Sequence, residues 1–195
     1  MTPEQVKLVK DSFRKVLPIA GIAADLFYDR LFEIAPDIRP LFRDDLVVQK
    51  KKLMAMLSTV VNNLHQVDKI APSVGDLGKR HVGYGVSAKH FAPVGTSLLW
   101  TLGEILGADF APSVKTAWTE AYVTLAGIMS GVVAEDMPQF KYKPKTPIIY
   151  DRPRCPKCTR EMYLAHIKPG KPGFDLRTFS CPKCEHSESM LVKNG

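Results

Sequence analysis

The spacing Cys155-x2-Cys158-x22-Cys181-x2-Cys184 constrains what its part of the chain can fold into more tightly than any other feature of the sequence. Two residues between cysteines let both thiolates reach one ion from a tight knuckle, and two such knuckles complete the tetrahedron that Zn²⁺ takes in structural sites. Iron held by the same four sulfurs is the alternative, whereas a redox dithiol would need only one knuckle. A segment of about 40 residues buries too little apolar surface to fold alone, so the metal is expected to act as its core.

Upstream, a different period governs. The runs "EQVKLVKDSFRKVL", "AGIAADLFYDRLFEIA", "LVVQKKKLMAMLSTVVNNLHQV", "SVGDLGKRHVGYGV", "GTSLLWTLGEILG" and "SVKTAWTEAYVTLAGIMSGVVAEDM" each place apolar residues at i, i+3 and i+4. Pro18, Pro36, Pro40, Pro72, Pro93 and Pro112 are expected between these runs or in their first turns, where proline is tolerated. Thr2 and Gln5 have the spacing of a capping box at the first helix. Residues 1–137 therefore read as an all-α domain, with no strand signal of period two.

The texture changes at Pro138. "PQFKYKPKTPIIYDRPR" has prolines and basic residues but no helical face, so residues 138–152 read as an extended linker. In residues 153–195, "EMYLAHI" and "FDLRTFS" read as two strands around the turn-forming "KPGKPG", and "SESMLV" is a candidate third. With its paired knuckles and intervening hairpin, this segment resembles a zinc ribbon, a resemblance that speaks to fold more than to activity.

Charge separates the same two regions. Residues 1–138 carry 15 Lys+Arg against 15 Asp+Glu, and residues 139–195 carry 12 against 5, so the whole excess of +7 lies in the tail. Such a basic tail suits an acidic protein partner, or less readily nucleic acid, since within residues 153–195 only Tyr163, Phe174 and Phe179 are aromatic and able to stack. The longest uncharged run, Ala121 to Ala134, is 14 residues, too short to span a bilayer. The start "MTPEQVKLVK" lacks the pattern of a secretory signal, and a cytoplasmic location with reduced cysteines is the expectation.

Polar residues on apolar helical faces supply the remaining candidates. His81 lies one turn after Leu77 and is expected inside, whereas His90 stands at a helix break and is expected at the rim. Gln49 begins an apolar stripe with Leu53, Met56 and Val60, and Tyr28 shares a face with Ala24, Leu31 and Phe32. A buried phenol or amide without a partner costs about 1 to 3 kcal/mol, so each needs one; ordinary packing can provide it.

Taken together, "FYDRLFEIAPDIRPLF", "GKRHVGYGVSAKHFAPVG" and "AWTEAYVTLAGIM" make residues 1–137 resemble the globin family, closest to bacterial single-domain haemoglobins and the globin part of flavohaemoglobins. The resemblance implies haem b, with His81 as proximal iron ligand, Phe42 packing on haem, Tyr28 and Gln49 as the distal polar pair and Leu53 as the apolar distal residue. It implies reversible binding of O₂, NO and CO at a pentacoordinate iron, since Gln49 stands where many globins have histidine and His65 lies about three helical turns beyond Leu53. NO dioxygenation with an external reductase, and gas sensing relayed through the ribbon, are the other functions it admits. Lys50, Lys51 and Lys52 are expected on a solvated face or beside haem propionates. Phe91 and Val133 occupy the places where flavohaemoglobin-type chains carry a tyrosine and a glutamate that polarise the proximal histidine, so its electronic push is expected to be weak.

Overall fold

The computed structural model describes residues 1–42, 45–131, 153–169, 171, 174–181 and 183–193. The chain divides into two compact units, Met1–Tyr142 and Lys143–Gly195. The stretch read as a linker and Val133 lie outside the described residues.

Among its described residues the first unit has helices and no strand. Helix α1 (Pro3–Val16) starts at the capping box expected from its sequence: Thr2 Oγ1 accepts from the Gln5 N–H at 3.2 Å, and Gln5 Oε1 accepts from the Thr2 N–H at 2.8 Å. Its buried positions Val6, Val9, Phe13 and Val16 follow the helical period and leave Lys7, Arg14 and Lys15 outside. A 3₁₀ turn (Leu17–Ile19) leads into α2 (Ala20–Ile34), and a proline-bounded 3₁₀ corner (Pro36–Leu41) ends at Phe42.

Helix α3 (Leu46–Asn63) is capped by Asp45, whose carboxylate accepts from the Val47 N–H at 2.9 Å. It stops earlier than its apolar run predicts, because Leu64–Gln66 tighten into a 3₁₀ turn. Helix α4 (Val67–Gly83) begins six residues before the expected start and contains Pro72. Proline lacks an N–H, so Pro72 makes no backbone bond to Asp68, and the exposed Pro72 sits in the helix before the run that carries His81. A 3₁₀ turn (Ala88–His90), α5 (Phe91–Leu106), another 3₁₀ turn (Gly107–Asp109) and α6 (Pro112–Ser130) follow among the described residues, with Gly131 closing α6 in the left-handed conformation.

Helix α2 packs chiefly on α5, and α6 receives both α1 and α4. Leu31, Leu99, Val9 and Ala117 are fully enclosed at these crossings. Trp118 lies against Phe13, and its indole N–H donates to Ser12 Oγ at 2.9 Å, which joins α6 to α1. Gly78 makes the α4–α6 approach possible, since a Cβ there would collide with the Met129 carbonyl.

The second unit is an antiparallel sheet in the order β1 (Tyr163–Pro169), β2 (Phe174–Ser180), β3 (Ser187–Lys193), so the third strand of the expectation forms. Leu164 pairs with Phe179 and His166 with Thr178, which makes Ala165 a bulge in β1. Its core is Cys155, Met162, Leu164, Phe179 and Cys181. Two of these five residues are cysteines, so the sulfur cluster is a structural part of the module. Among the described residues no helix is long and apolar enough to cross a membrane.

Candidate haem pocket and four-cysteine centre

Helix α2, the corner after it and α3 bring four of the anticipated pocket residues together: Tyr28, Phe42, Gln49 and Leu53. Tyr28, only 2% exposed, sits edge-on to Phe27 and Phe42 at centroid distances of 5.1 and 5.4 Å, with Phe32 at 5.7 Å. Leu53 of α3 and Val94 and Leu98 of α5 pack on the same cluster. The side chain of Gln49 hydrogen-bonds Tyr28, which gives the phenol a partner within apolar surroundings. Burial pushes the Tyr28 pKa up to about 12, against a smaller opposing effect of the Gln49 bond. Beside this pair Lys50 Nζ meets Asp25 at 2.7 Å, joining α3 to α2.

His81 stands near the end of α4, outside that cluster. Its Nδ1–H donates to the Leu77 carbonyl at 2.8 Å, which fixes the tautomer and leaves Nε2 free as a lone-pair donor. The ring is half-buried rather than fully inside, and Val82 and Tyr84 beside it are 69% and 62% exposed. Gly85, at φ +90°, ends this segment with its Cα hydrogen side against Leu41, which brings the end of α4 to the corner that carries Phe42. Lys89 and Asp37, 3.8 Å apart, bridge the same two regions.

His90 reverses its expectation: it is the buried histidine, at 9% exposure. Its Nδ1 accepts from the Ser87 N–H at 3.1 Å, and Ser87 completes the reciprocal cap of the 3₁₀ turn. A helix break looked like a surface feature, but the break needed an internal cap. His65 is exposed with Nδ1 3.4 Å from Lys10 Nζ of α1, away from the Tyr28 cluster. Met56, expected on the buried stripe of α3, is 39% exposed, while Val60 on that stripe is buried.

Sequence reasoning passed over Tyr122. Its hydroxyl donates to the Phe91 carbonyl at 2.7 Å and is also hydrogen-bonded by the Gly95 backbone, anchoring α6 to the first turn of α5. Burial raises its pKa strongly, and the Gly95 bond opposes that only in part. A phenol one residue after the buried Ala121 in "WTEAYV" was the available signal, since a phenol on a packed helix needs a partner.

The four cysteines converge as their spacing predicted, with their sulfurs all within 4.8 Å of one another. Each knuckle has the same backbone frame: the Thr159 N–H donates to the Cys155 carbonyl at 2.8 Å and the Glu185 N–H to the Cys181 carbonyl at 3.0 Å. Thr159 and Glu185 both adopt positive φ, 58° and 56°, a turn usually given to glycine. Burial raises the Cys181 pKa, but the Lys183 and Cys184 N–H groups and the neighbouring thiols outweigh that and lower it. For Cys184 the His186 N–H acts downward and is outweighed by the Cys155 thiol, burial and the other thiols, so its pKa rises. Once one thiolate forms, its neighbours resist ionising, a conflict that a bound cation removes. Four soft donors within 4.8 Å of one another fit a thiophilic metal.

Comparison with known proteins agrees with the helical geometry. The Globin family model matches residues 25–129. The flavohemoprotein of Bacillus subtilis is 29% identical over 109 residues, covering 54% of this chain and 27% of that protein. That of Rhodopirellula baltica is 26% identical over 134 residues, covering 67% and 33%. The Chromobacterium violaceum flavohemoprotein is 29% identical over 136 residues, covering 68% and 34%. The matches thus span between about a quarter and a third of these relatives' own lengths. Among solved structures, an engineered carbene transferase built on a Rhodothermus marinus protein assigned as a nitric oxide dioxygenase superposes with TM-score 0.61 at 25% identity, over 67% of this chain and 92% of that one. Its helices, its pocket-side aromatics and this family match together show that the chain belongs to the globin family, a family of haem-binding proteins, and carries a four-cysteine β-module after its globin domain.

Proposed function

We propose that the helical unit holds haem b through His81 Nε2 and binds a diatomic gas beside Tyr28 and Gln49. The hydrogen-bonded Tyr28–Gln49 pair inside an aromatic cluster carries this reading. Bound haem supplies an iron atom with a coordination position for O₂, NO or CO.

The chain's own residues do the rest. His81 is oriented by a neutral carbonyl instead of a carboxylate, so its Nε2 stays a moderate donor and the electronic push is weak. An amide N–H placed on the phenol oxygen leaves the Tyr28 hydrogen available for a polar ligand. The raised Tyr28 pKa keeps that hydrogen in place well into alkaline pH. Phe42 and Leu53 line the apolar side, where water competes poorly. Each donor to a polar gas contributes about 1 to 1.5 kcal/mol, close to tenfold in affinity. Stopped-flow measurement of O₂ release from the haem-loaded chain is expected to show roughly tenfold faster dissociation in Tyr28→Phe, with CO release changed less. Equal O₂ rates in parent and variant would remove Tyr28 from the ligand's side.

The flavohemoprotein relatives favour a second, enzymatic reading. NO, O₂ and one electron give nitrate, so sustained turnover requires a reductase partner. Nitrate formation that continues only when a flavin reductase and reduced nicotinamide are supplied supports the enzyme; a single turnover under those conditions leaves a gas-binding protein. In the second unit, Zn²⁺ on Cys155, Cys158, Cys181 and Cys184 is the structural metal of this reading. Iron instead would give the purified protein a visible thiolate charge-transfer band. Exposed Arg154, Lys157, Arg160 and Lys183 flank the knuckles and suit an acidic protein partner, whose binding would weaken with salt.

A further inference from the structure

We propose that the outer edge of β3 is a docking surface for the same edge of a second copy of this chain, joining two three-stranded sheets into one continuous sheet. β1 and β3 are the two edges of the module's sheet, and they differ. β1 is blunted: its ladder is interrupted at Ala165, and it ends in Pro169, which has no N–H to offer. β3 has neither device. All seven of its residues pair with β2 in one unbroken register, and nothing among the described residues pairs with its other side. The outward backbone N–H and C=O groups of such an edge are a template for a further strand.

The residues of that edge select the occupant. An antiparallel pair of identical strands has its two-fold axis at a residue, because an axis between residues would set inward against outward side chains. The register with β2 places Glu188, Met190 and Val192 on the face of Phe179 and the cysteine core, and Ser187, Ser189 and Leu191 on the opposite face. Met190 and Val192 are half-buried, and Leu191 is 50% exposed. With the axis at Leu191, Met190 meets Val192 of the second copy and Leu191 meets its counterpart, so every apolar residue of the strand gains an apolar neighbour. Leu191 already stands beside Leu176, which extends the leucine row across both copies. An axis at Met190 sets Glu188 against Val192, one at Ser189 sets Glu188 against Met190, and one at Val192 sets Leu191 against Lys193. The strand is therefore complementary to itself in one register. A single strand edge buries less than the roughly 1,200 Å² of a standard stable interface, so the dimer is expected in the micromolar range. Both copies carry the same net positive charge, so salt strengthens this contact, the reverse of its effect on an acidic partner.

Sedimentation equilibrium and amide hydrogen exchange on the Zn²⁺-loaded full chain test the contact. The parent is expected to show a monomer–dimer equilibrium that tightens with salt, and β3 amides that exchange more slowly as protein concentration rises. Leu191→Lys sets two like charges together at the axis and is expected to raise the dissociation constant at least about tenfold, with Zn²⁺ content and the exchange of β2 amides unchanged. Leu17→Lys, at a comparably exposed apolar residue of the globin unit, should leave the dimer intact. The exchange of the parent's β3 amides reads the contact even where Leu191→Lys fails to hold Zn²⁺. A parent that stays monomeric, a dimer that survives Leu191→Lys, or β3 amides indifferent to concentration would overturn the proposal. A monomeric parent whose β3 amides are slowed only by an added peptide of alternating valine and glutamate would overturn it too, and would give the edge to a foreign acidic strand.

Discussion

At the residue scale, the most informative side chains are those whose chemistry conflicts with their surroundings. Tyr28 is a phenol inside an aromatic cluster, and burial raises its pKa to about 12 from the ordinary 10.0. Below pH 10 the phenol is neutral in both folded and unfolded chain. Between pH 10 and 12 the unfolded chain loses the proton first, so stability falls as pH rises through that window, and Tyr28→Phe should flatten the alkaline limb of a chemical-unfolding profile. A variant limb as steep as the parent's would mean that another group governs it. Gly78 is constrained in a different way, by backbone. Gly78→Ala forces α4 off the Met129 carbonyl and is expected to destabilise the globin unit by about 1 to 3 kcal/mol in denaturant titration, despite the better helix propensity of alanine. These conflicts also explain what the sequence hid. That Tyr28 and Gln49 each need a partner was legible from polar residues on apolar faces, whereas their pairing came only from the resemblance to the globin family. The roles of His90 and Tyr122 were not legible, because their partners are backbone groups of the corner between α4 and α5, and backbone acceptors leave no mark in a residue pattern.

At the element scale, periodicity carried the architecture and local chemistry set the boundaries. Apolar spacing located the six α-helices of the described residues, but it placed the start of α4 too late, because Pro72 reads as a stop while the structure accommodates it on an exposed turn. The cap signal at Thr2 is a side-chain event and was visible; the Asp45 cap was passed over, and the 3₁₀ endings at Leu64–Gln66 and Ala88–His90 come from packing and leave no such mark. The β-module was the most legible element, since cysteine spacing fixes geometry directly. Two of its five core residues are ligand candidates, so chelation should abolish its strand signal and its resistance to protease while the helical signal of the globin unit persists. Retention of a protease-resistant module after the metal has been stripped would show that its apolar residues suffice. Glu185→Gly, which relieves a positive-φ residue, should slow metal loss to a chelator by a few-fold, equivalent to about 0.5 to 1 kcal/mol.

At the scale of the whole molecule, a near-neutral globin unit and a strongly basic four-cysteine module share one chain, and what they do together depends on whether gas ligation alters the second unit. A sensor needs that coupling; a carrier or an enzyme does not. Equal O₂ affinity of the full chain with its cysteine centre loaded and stripped would argue against sensing, and linkage requires gas to change metal-centre partner affinity by the same factor if it exists. All of these readings depend on one histidine. The decisive measurement is the absorption spectrum of the haem-reconstituted chain, oxidised, reduced and with CO, for the parent, His81→Gly and His90→Gly. The account predicts a five-coordinate ferrous spectrum and a CO adduct in the parent, loss of both in His81→Gly with recovery on adding imidazole, and retention of haem ligation in His90→Gly. A six-coordinate ferrous spectrum in the parent without added ligand, or a His81→Gly spectrum indistinguishable from it, would contradict the assignment of the iron to His81.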